Sequence, residues 1–487
     1  MSKKKKATYR REVVIELTNN NLAQLHGPQP VLHELYTAFK VRHPNAFHLR
    51  RYMKPGWDGK MEYIKPNGKI AVGLVSRLIN YCETNEVGKI EWEIADYRKG
   101  SDMVPKVRKS FKDWKTRDYQ FQAVESVVNN TIGDIPFPRG AIKVATNGGK
   151  TTISTFIYLA YEQPTVFLVN SKELYEQALD EIPKITRSTV GRVDSRKIVY
   201  DKFMICMVAT LKNRLKKDKK LREYMNTIKV LIVDEGDLAN NKTNKEVIDS
   251  LYNANVRVAL SGTIFQSKLA KDKIKNWNLE SYFGPMLYEI SNRTLIDKGV
   301  SSEVAVRIAK GNREYIGATY QDEYEHGIVK NPYRNKRILK RSLKHARKGR
   351  INQLIIAQHH AHIIRIYNTI KRAIERGKYP KGTTVDWVHH DRKERANIVA
   401  DFKDGKLKIL VGSMILKRGK NFPKMQYMIN AGGGKSPENI IQLLGRAFRG
   451  CKHYEDMWDE GSYLKKHSRK RVIYYKNEKL KVTNPYR

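Results

Sequence analysis

Short apolar runs recur in two parts of the chain, most of them ending at a polar or glycine-bearing turn that leads into a helical pattern. In the first part they are AIKVA (141–145), TVFLV (165–169), FMICMVAT (203–210), KVLIVD (229–234) and RVALSGT (257–263). Beyond residue 351 the theme returns with QLIIAQ, TTVDWVHH, KILVGS and QYMINA. Runs that are continuously apolar, rather than alternating, predict strands covered on both faces, as in a parallel sheet between layers of helices. The predicted fold class is therefore α/β, with two tandem parallel-sheet domains. No short-period repeat is visible.

The 487 residues are too many for one hydrophobic core. Four stretches read differently. Residues 1–110 mix short strands and helices, as a small α+β domain would. Residues 111–268 and 351–487 carry the two sets of apolar runs, the second ending in a basic tail. Residues 269–350 are polar and charged, and read as a linker with a basic helical segment. From Arg334 to Arg350 there are nine Lys/Arg and no acid. Ile338, Leu339, Leu343 and Ala346 fall on one helical face there, which predicts a docked helix with a cationic face outward. The tail from Lys465 to Lys481 holds eight Lys/Arg against Glu478 alone, and VIYYK within it has the look of a strand.

Charge narrows the partners. With 93 Lys+Arg against 50 Asp+Glu the formal net charge is +43. Duplex DNA carries about one negative charge per 1.7 Å, and cationic side chains release its condensed counterions. The balance points to nucleic acid ahead of an anionic membrane surface, and by itself specifies no activity. No apolar run approaches the ~18 residues of a membrane span, and no apolar segment follows the basic MSKKKKATYRRE, so neither a membrane nor a secreted location is expected. Cys82, Cys206 and Cys451 form no CxxC pair, which argues against a disulfide scaffold or zinc and for a cytoplasmic setting.

The chemistry begins after AIKVA, with Thr146-Asn147-Gly148-Gly149-Lys150-Thr151-Thr152 and then the apolar stretch ISTFIYLAY. A strand, a glycine-bearing turn, a lysine and a hydroxyl at a helix start are the parts of a phosphate-binding loop. In such a loop backbone N–H groups cradle phosphates, Lys150 would reach the β/γ-phosphates and Thr151 would hold Mg²⁺. The strict GxxxxGK[ST] pattern fails at Val144, and an ordinary turn before a helix is the plainer alternative. Asn147, which tolerates positive φ, can still close the loop. Asp234-Glu235-Gly236-Asp237 ends the run KVLIV, 84 residues after Lys150. A carboxylate at the C-terminal end of a parallel strand faces the same crevice as such a loop. Asp234 is suited to hold Mg²⁺ through water, and Glu235 to orient or deprotonate an attacking water.

In this order the residues resemble the superfamily 2 helicases over about 350 positions. Arg117-Asp118-Tyr119-Gln120 is similar to the adenine-reading segment, with Gln120 as the base contact. TNGGKT is similar to motif I, VNSKELYEQ (169–177) to motif Ia and VATLKN (208–213) to motif Ib. DEGD resembles motif II, and Ser261-Gly262-Thr263 motif III. The stretch HHDRKERANIVADFKDGKLKILVGSMILKRGKNFP resembles motifs IVa and V, with Gly419 and Asn421 where the family has Gly and Asp. Gln442-Leu443-Leu444-Gly445-Arg446-Ala447-Phe448-Arg449 resembles motif VI. The resemblance implies two RecA-like lobes, nucleotide contacts from Arg117, Thr146, Gly148, Gly149, Thr152, Gly419 and Asn421, and arginine fingers at Arg446 and Arg449 beside Gln442. It implies backbone contacts to nucleic acid from Lys172, Thr210 and Ser413.

The N-terminal block, with Trp57-Asp58-Gly59-Lys60, is similar to the accessory domain of UvsW-type phage helicases, as is the stretch FGPMLYEISNRTLIDKGVSSEVAVRI. That resemblance implies work on branched DNA: forks, Holliday junctions and R-loops. Arg51, Lys54, Trp57 and Lys60 interleave cations with an aromatic, which suits phosphate contact and base stacking. Trp57 as a core residue of a small domain is the other reading. The expectation is a motor using ATP and Mg²⁺ on DNA. An RNA helicase, a duplex translocase that separates no strands and a non-catalytic binding protein with a degenerate nucleotide site are the alternatives.

Overall fold

The computed structural model describes residues 10–44, 46–48, 56–99, 103–265, 270–417, 422–448 and 451–486. The chain divides into two units. One comprises Met1–Val144 and Gly149–Glu289, the other Ala145–Gly148 and Ile290–Arg487.

The main sheet of the first unit has eight strands. In spatial order they are Ile198–Val199, Gly191–Val193, Phe203–Met207, Thr165–Val169, Val230–Asp234, Val256–Ser261, Arg139–Val144 and Met286–Ile290. From Gly191–Val193 to Arg139–Val144 every pairing is parallel. Every residue of Thr165–Val169, Val230–Asp234 and Val256–Ser261 is buried, as the continuous apolar runs predict. Each Val, Leu or Ile so removed from water contributes about 1.5–3 kcal/mol. The second unit carries a seven-stranded, wholly parallel sheet. Its order is Val385–Val388, Ile409–Gly412, Gln353–Ile356, Tyr427–Asn430, His453–Trp458, Ala305–Lys310 and Lys481–Thr483. Both sheets are RecA-like, and the fold is α/β.

Residues 10–99 form a small α+β body. Strands Lys69–Ala71, Leu22–His26, Glu12–Leu17 and Glu91–Asp96 make a mixed sheet. Helices Gln29–Ala38 and Val75–Thr84 contribute Val31, Leu35, Val75 and Leu78 to its core. That core is continuous with Ile132, Phe137 and Trp277 of the first unit. Trp277 lies on helix Ala270–Phe283, beside Phe39 and Tyr63. Arg77 pairs with the buried Glu280 at 2.6 Å, and the Tyr63 hydroxyl donates to Asn278 Oδ1 at 3.0 Å. A Cβ on Gly73 would lie 2.0 Å from the Glu280 carbonyl oxygen, so only glycine permits this approach of backbone to helix.

Three expectations are corrected. The stretch 269–350 is not a separate linker. Helix Ala270–Phe283 and strand Met286–Ile290 belong to the first unit, while Ala305–Lys310 is an inner strand of the second sheet. Its polar composition conceals a few apolar anchors, Leu279 and Phe283 on one side and Val306 and Ile308 on the other. The basic helix spans Pro332–Ala346 and docks through Ile338 and Ala346 as predicted, but Arg334 is fully buried against Asp459 at 2.7 Å. The exposed row is the narrower Lys336, Lys340, Lys344. Finally, VIYYK lies in helix Leu464–Asn477, where Val472 and Tyr475, three apart, face the core. Among the described residues no helix is long and apolar enough to cross a membrane.

Candidate nucleotide-binding site

Strand Arg139–Val144 ends at the sheet's C-terminal edge and the chain turns at once, with the Gly148 N–H donating to the Ala145 carbonyl at 3.0 Å. Val144 is fully buried as the last strand residue, which explains why the glycine pattern fails there: the position belongs to the sheet, not to the turn. Asn147 has φ +76° and Gly149 φ +78°, the left-handed conformation the turn needs before helix Lys150–Tyr161 begins. A Cβ on Gly149 would lie 2.2 Å from Gln120 Nε2. Gln120 is thereby placed against the phosphate-type turn. Its Oε1 accepts the Arg117 N–H at 2.9 Å, at the start of helix Asp118–Val128.

The sheet order carries the next step. Arg139–Val144 and Val230–Asp234 flank the same strand, Val256–Ser261, with Lys143 level with Ser261 and Asp234 level with Leu260. A lysine one turn beyond the first strand can therefore reach the carboxylates ending the other. Lys150 Nζ lies 3.3 Å from Asp234 Oδ1 and 3.3 Å from Glu235 Oε1. Burial alone would lower the Lys150 pKa; Asp234 and Glu235 outweigh it and hold the ammonium above the ordinary lysine value. Burial raises the Asp234 carboxyl, Lys150 opposes it and the neighbouring Glu235 adds to it. Two buried carboxylates thus converge on the Lys150 ammonium, a set of oxygen donors that suits a divalent metal.

Glu235 sits at φ +54°, a strained conformation for a non-glycine residue, of the kind that collects at functional sites. Gly236 follows because a Cβ there would lie 2.7 Å from that of Ala259. Asp237, which sequence reasoning gave no role, accepts from Ser261 Oγ at 2.7 Å, and Ser261 Oγ also accepts from the Thr263 N–H at 3.1 Å. The end of the DEGD segment is thereby tied to the Ser-Gly-Thr triplet. The signal was present: both segments end adjacent strands.

Other predicted residues are placed as follows. Thr151 lies half-buried in the first turn of helix Lys150–Tyr161, and Thr152 is buried. Lys172 is exposed at the first position of helix Lys172–Thr186, and Thr210 is half-buried in helix Val208–Lys217. Ser413, directly after Ile409–Gly412, is buried, as is Gln442 on helix Pro437–Ala447, which also carries Arg446. Trp57 is half-buried and its Nε1 donates to the Lys60 carbonyl at 2.7 Å, while Lys60 is exposed. Arg51, Lys54, Gly419, Asn421 and Arg449 lie outside the described residues.

Two family models match the chain: "Type III restriction enzyme, res subunit" over residues 113–266, and "Helicase conserved C-terminal domain" over residues 336–451. Two RecA-like domains, the first ending its strands in a phosphate-type lysine and paired acids, define a helicase fold. The chain belongs to superfamily 2 of the helicases.

It is 23% identical over 354 residues to the protein named "Putative ATP-dependent helicase IRC3" of Saccharomyces cerevisiae, a match covering 68% of this chain and 49% of that one. It is 22% identical over 362 residues to "Putative helicase 22" of Sulfolobus islandicus filamentous virus, covering 69% and 62%. The chain thus spans about half the length of the yeast relative. Among solved structures, Dbp5 of S. cerevisiae bound to RNA and ADP BeF3 aligns at TM-score 0.53 and 15% identity, covering 76% of this chain and 90% of that one, which shows the shared fold. The crystal structure of UvsW from bacteriophage T4 aligns over 97% of this chain and 98% of that one, at 19% identity and TM-score 0.44.

Proposed function

We propose that the chain is an ATP-driven DNA motor that unwinds or branch-migrates branched DNA, in replication, recombination or repair. The observation that carries the nucleotide half of this reading is the contact of Lys150 with both Asp234 and Glu235 at 3.3 Å. An ammonium held by two carboxylates is ready to be handed to the β/γ-phosphates of ATP. Thr151 and Asp234 are the residues to hold Mg²⁺, which supplies charge neutralisation at the phosphates. Glu235 orients or deprotonates the attacking water. Gln120 and Arg117 read adenine, and Thr146, Asn147, Gly148, Gly149 and Thr152 line the phosphate turn. Gln442, Arg446 and Arg449, with Gly419 and Asn421, act on the same nucleotide from the second parallel-sheet domain. Guanidinium groups there stabilise charge on the transferring phosphoryl group.

Support for DNA as the track is the charge of +43 and the exposed cations Lys172, Lys60 and the row Lys336, Lys340, Lys344. Thr210 and Ser413 are assigned to the backbone by motif position. Branched DNA rests on the N-terminal block with Trp57 and Lys60, together with Arg51 and Lys54. ATP turnover and strand separation on forks, four-way junctions, RNA–DNA hybrids and single-stranded RNA test the reading. Stimulation by forks and junctions above linear duplex is expected; stimulation by RNA alone would replace DNA with RNA as the substrate.

A further inference from the structure

Between strand Tyr427–Asn430 and helix Pro437–Ala447 the chain reads Ala431-Gly432-Gly433-Gly434-Lys435-Ser436. A strand, a glycine turn, a lysine and a hydroxyl at the start of an eleven-residue helix are the parts that bind phosphate in the first unit, assembled a second time. Gly433 and Gly434 have φ +66° and +83°. The turn's carbonyls are fastened from behind: Tyr324 donates its hydroxyl to the Gly432 oxygen at 2.7 Å, and the buried Arg471 donates Nη1 to the Gly434 oxygen at 2.8 Å. Among the described residues no acceptor meets the N–H groups of Gly433, Gly434 or Lys435. Successive free N–H groups in a left-handed turn form an anion-binding concavity.

The turn lines a cavity of about 220 Å³. Gly433, Gly434, Lys435, Ser436 and Asn439 form its polar side, and Met414, Ile440 and Leu443 an apolar wall. His467 of helix Leu464–Asn477 also faces it. This imidazole is only 7% exposed, and its Nδ1 has no hydrogen-bond partner. That nitrogen is sealed from solvent, so the ring meets the cavity through another edge. Burial, with Lys435, Arg471 and Lys470, pushes the His467 pKa down to about 4, so the ring is neutral near pH 7 and carries one N–H donor. Arg471 is already paired with Asp456 at 2.8 Å, and no described carboxylate pairs with Lys435. The volume exceeds a few waters at about 30 Å³ each and falls below the ~300 Å³ at which drug-sized ligand sites begin.

We infer that this cavity is a second phosphoryl-binding site, in which the N–H groups of Gly433–Lys435, the Lys435 ammonium and the His467 imidazole hold the oxygens of one phosphate group. The apolar wall suits the sugar that a phosphate ester carries. Two sources share this chemistry, a free phosphate or pyrophosphate and a backbone phosphate of the nucleic acid. The site is independent of ATP hydrolysis and of the choice between DNA and RNA.

The test uses the full chain with Lys150→Ala, which disables the first phosphate turn. Inorganic pyrophosphate is titrated by calorimetry and a ten-nucleotide single-stranded DNA by fluorescence anisotropy. Lys435→Ala and His467→Leu are each added to this background, with the exposed Lys381→Ala as control. A tenfold or larger loss of pyrophosphate affinity in both variants, against less than twofold for Lys381→Ala, is the result expected for a free anion. The same loss confined to the oligonucleotide assigns the site to the backbone. If neither probe distinguishes Lys435→Ala from Lys381→Ala, the inference fails. Lys435 is exposed, so that comparison decides the matter even if His467→Leu does not fold.

Discussion

The turns at 146–151 and 432–436 solve one backbone problem in two electrostatic settings. Both leave a parallel strand, pass through left-handed residues and present a lysine and a hydroxyl at a helix start. In the first, the lysine is met by two carboxylates from a strand two places away in the sheet. In the second, the acids of strand His453–Trp458 are consumed by arginines: Asp456 by Arg471 and Glu455 by Arg341. Arg471 in turn braces the turn from outside. Phosphate affinity needs only the backbone and the lysine, whereas hydrolysis also needs carboxylates to place metal and water. Among the described residues the first turn has them and the second does not. On the proposed reading, where a neighbouring strand's acids point separates a reactive site from a binding one.

The sharpest break in this comparison comes from chemistry. Lys150→Ala or Glu235→Gln should lower ATP turnover by at least ~10²-fold, in line with removal of one group stabilising a transition state, with nucleic-acid affinity by anisotropy largely kept. Lys435→Ala should leave most of the turnover in place; equal losses would erase the distinction. Next in size, Arg471→Met strands Asp456 and frees the Gly434 carbonyl. Losing one partner of a buried ion pair costs about 3–5 kcal/mol, readable by urea unfolding.

A smaller effect separates the two glycines. Gly149→Ala adds a collision with Gln120 to the left-handed strain of about 1–2 kcal/mol. Gly434→Ala meets nothing nearer than Gln358 Oε1 at 4.0 Å and should show the strain alone. Thermal melts of the two variants rank them.

The last effect is on pH. His467 titrates lower in the folded chain than its ordinary 6.5, so the unfolded chain takes up its proton first. Stability should fall as pH drops from about 6.5 toward about 4, and less so in His467→Gln. The Lys150 contribution has the opposite sense: it is present below the ordinary lysine value of 10.5 and lost as pH rises beyond it. Urea midpoints across pH separate the two.

What the sequence discloses follows physical lines. Runs such as TVFLV and VLIVD are legible because strands covered on both faces leave no polar position to interrupt them. Lys150, Asp234 and Glu235 are legible because parallel strands end on one edge, so positions far apart in sequence converge. VIYYK misleads because a five-residue apolar run cannot tell a strand from one helical turn and a half. Arg334 misleads for another reason: in a run of nine cations nothing local marks the one whose partner, Asp459, lies 125 residues on. The glycine turn at 432–434 stands in plain view between segments resembling motifs V and VI. It is passed over because family motifs direct attention to either side of it, and because its support comes from Tyr324, His467 and Arg471, which no spacing connects.

The small N-terminal sheet shares a core with the first RecA-like domain, and at Gly73 its backbone rests directly against helix Ala270–Phe283. A joint of this kind has no slack. A displacement of the first domain is expected to carry with it the separate hairpin of Lys40–Arg42 and Lys60–Glu62, much as a lever passes on the motion of its fulcrum block. Under the proposed function the N-terminal body is then a rigid extension of the motor rather than a tethered hand, and its reach is set by geometry.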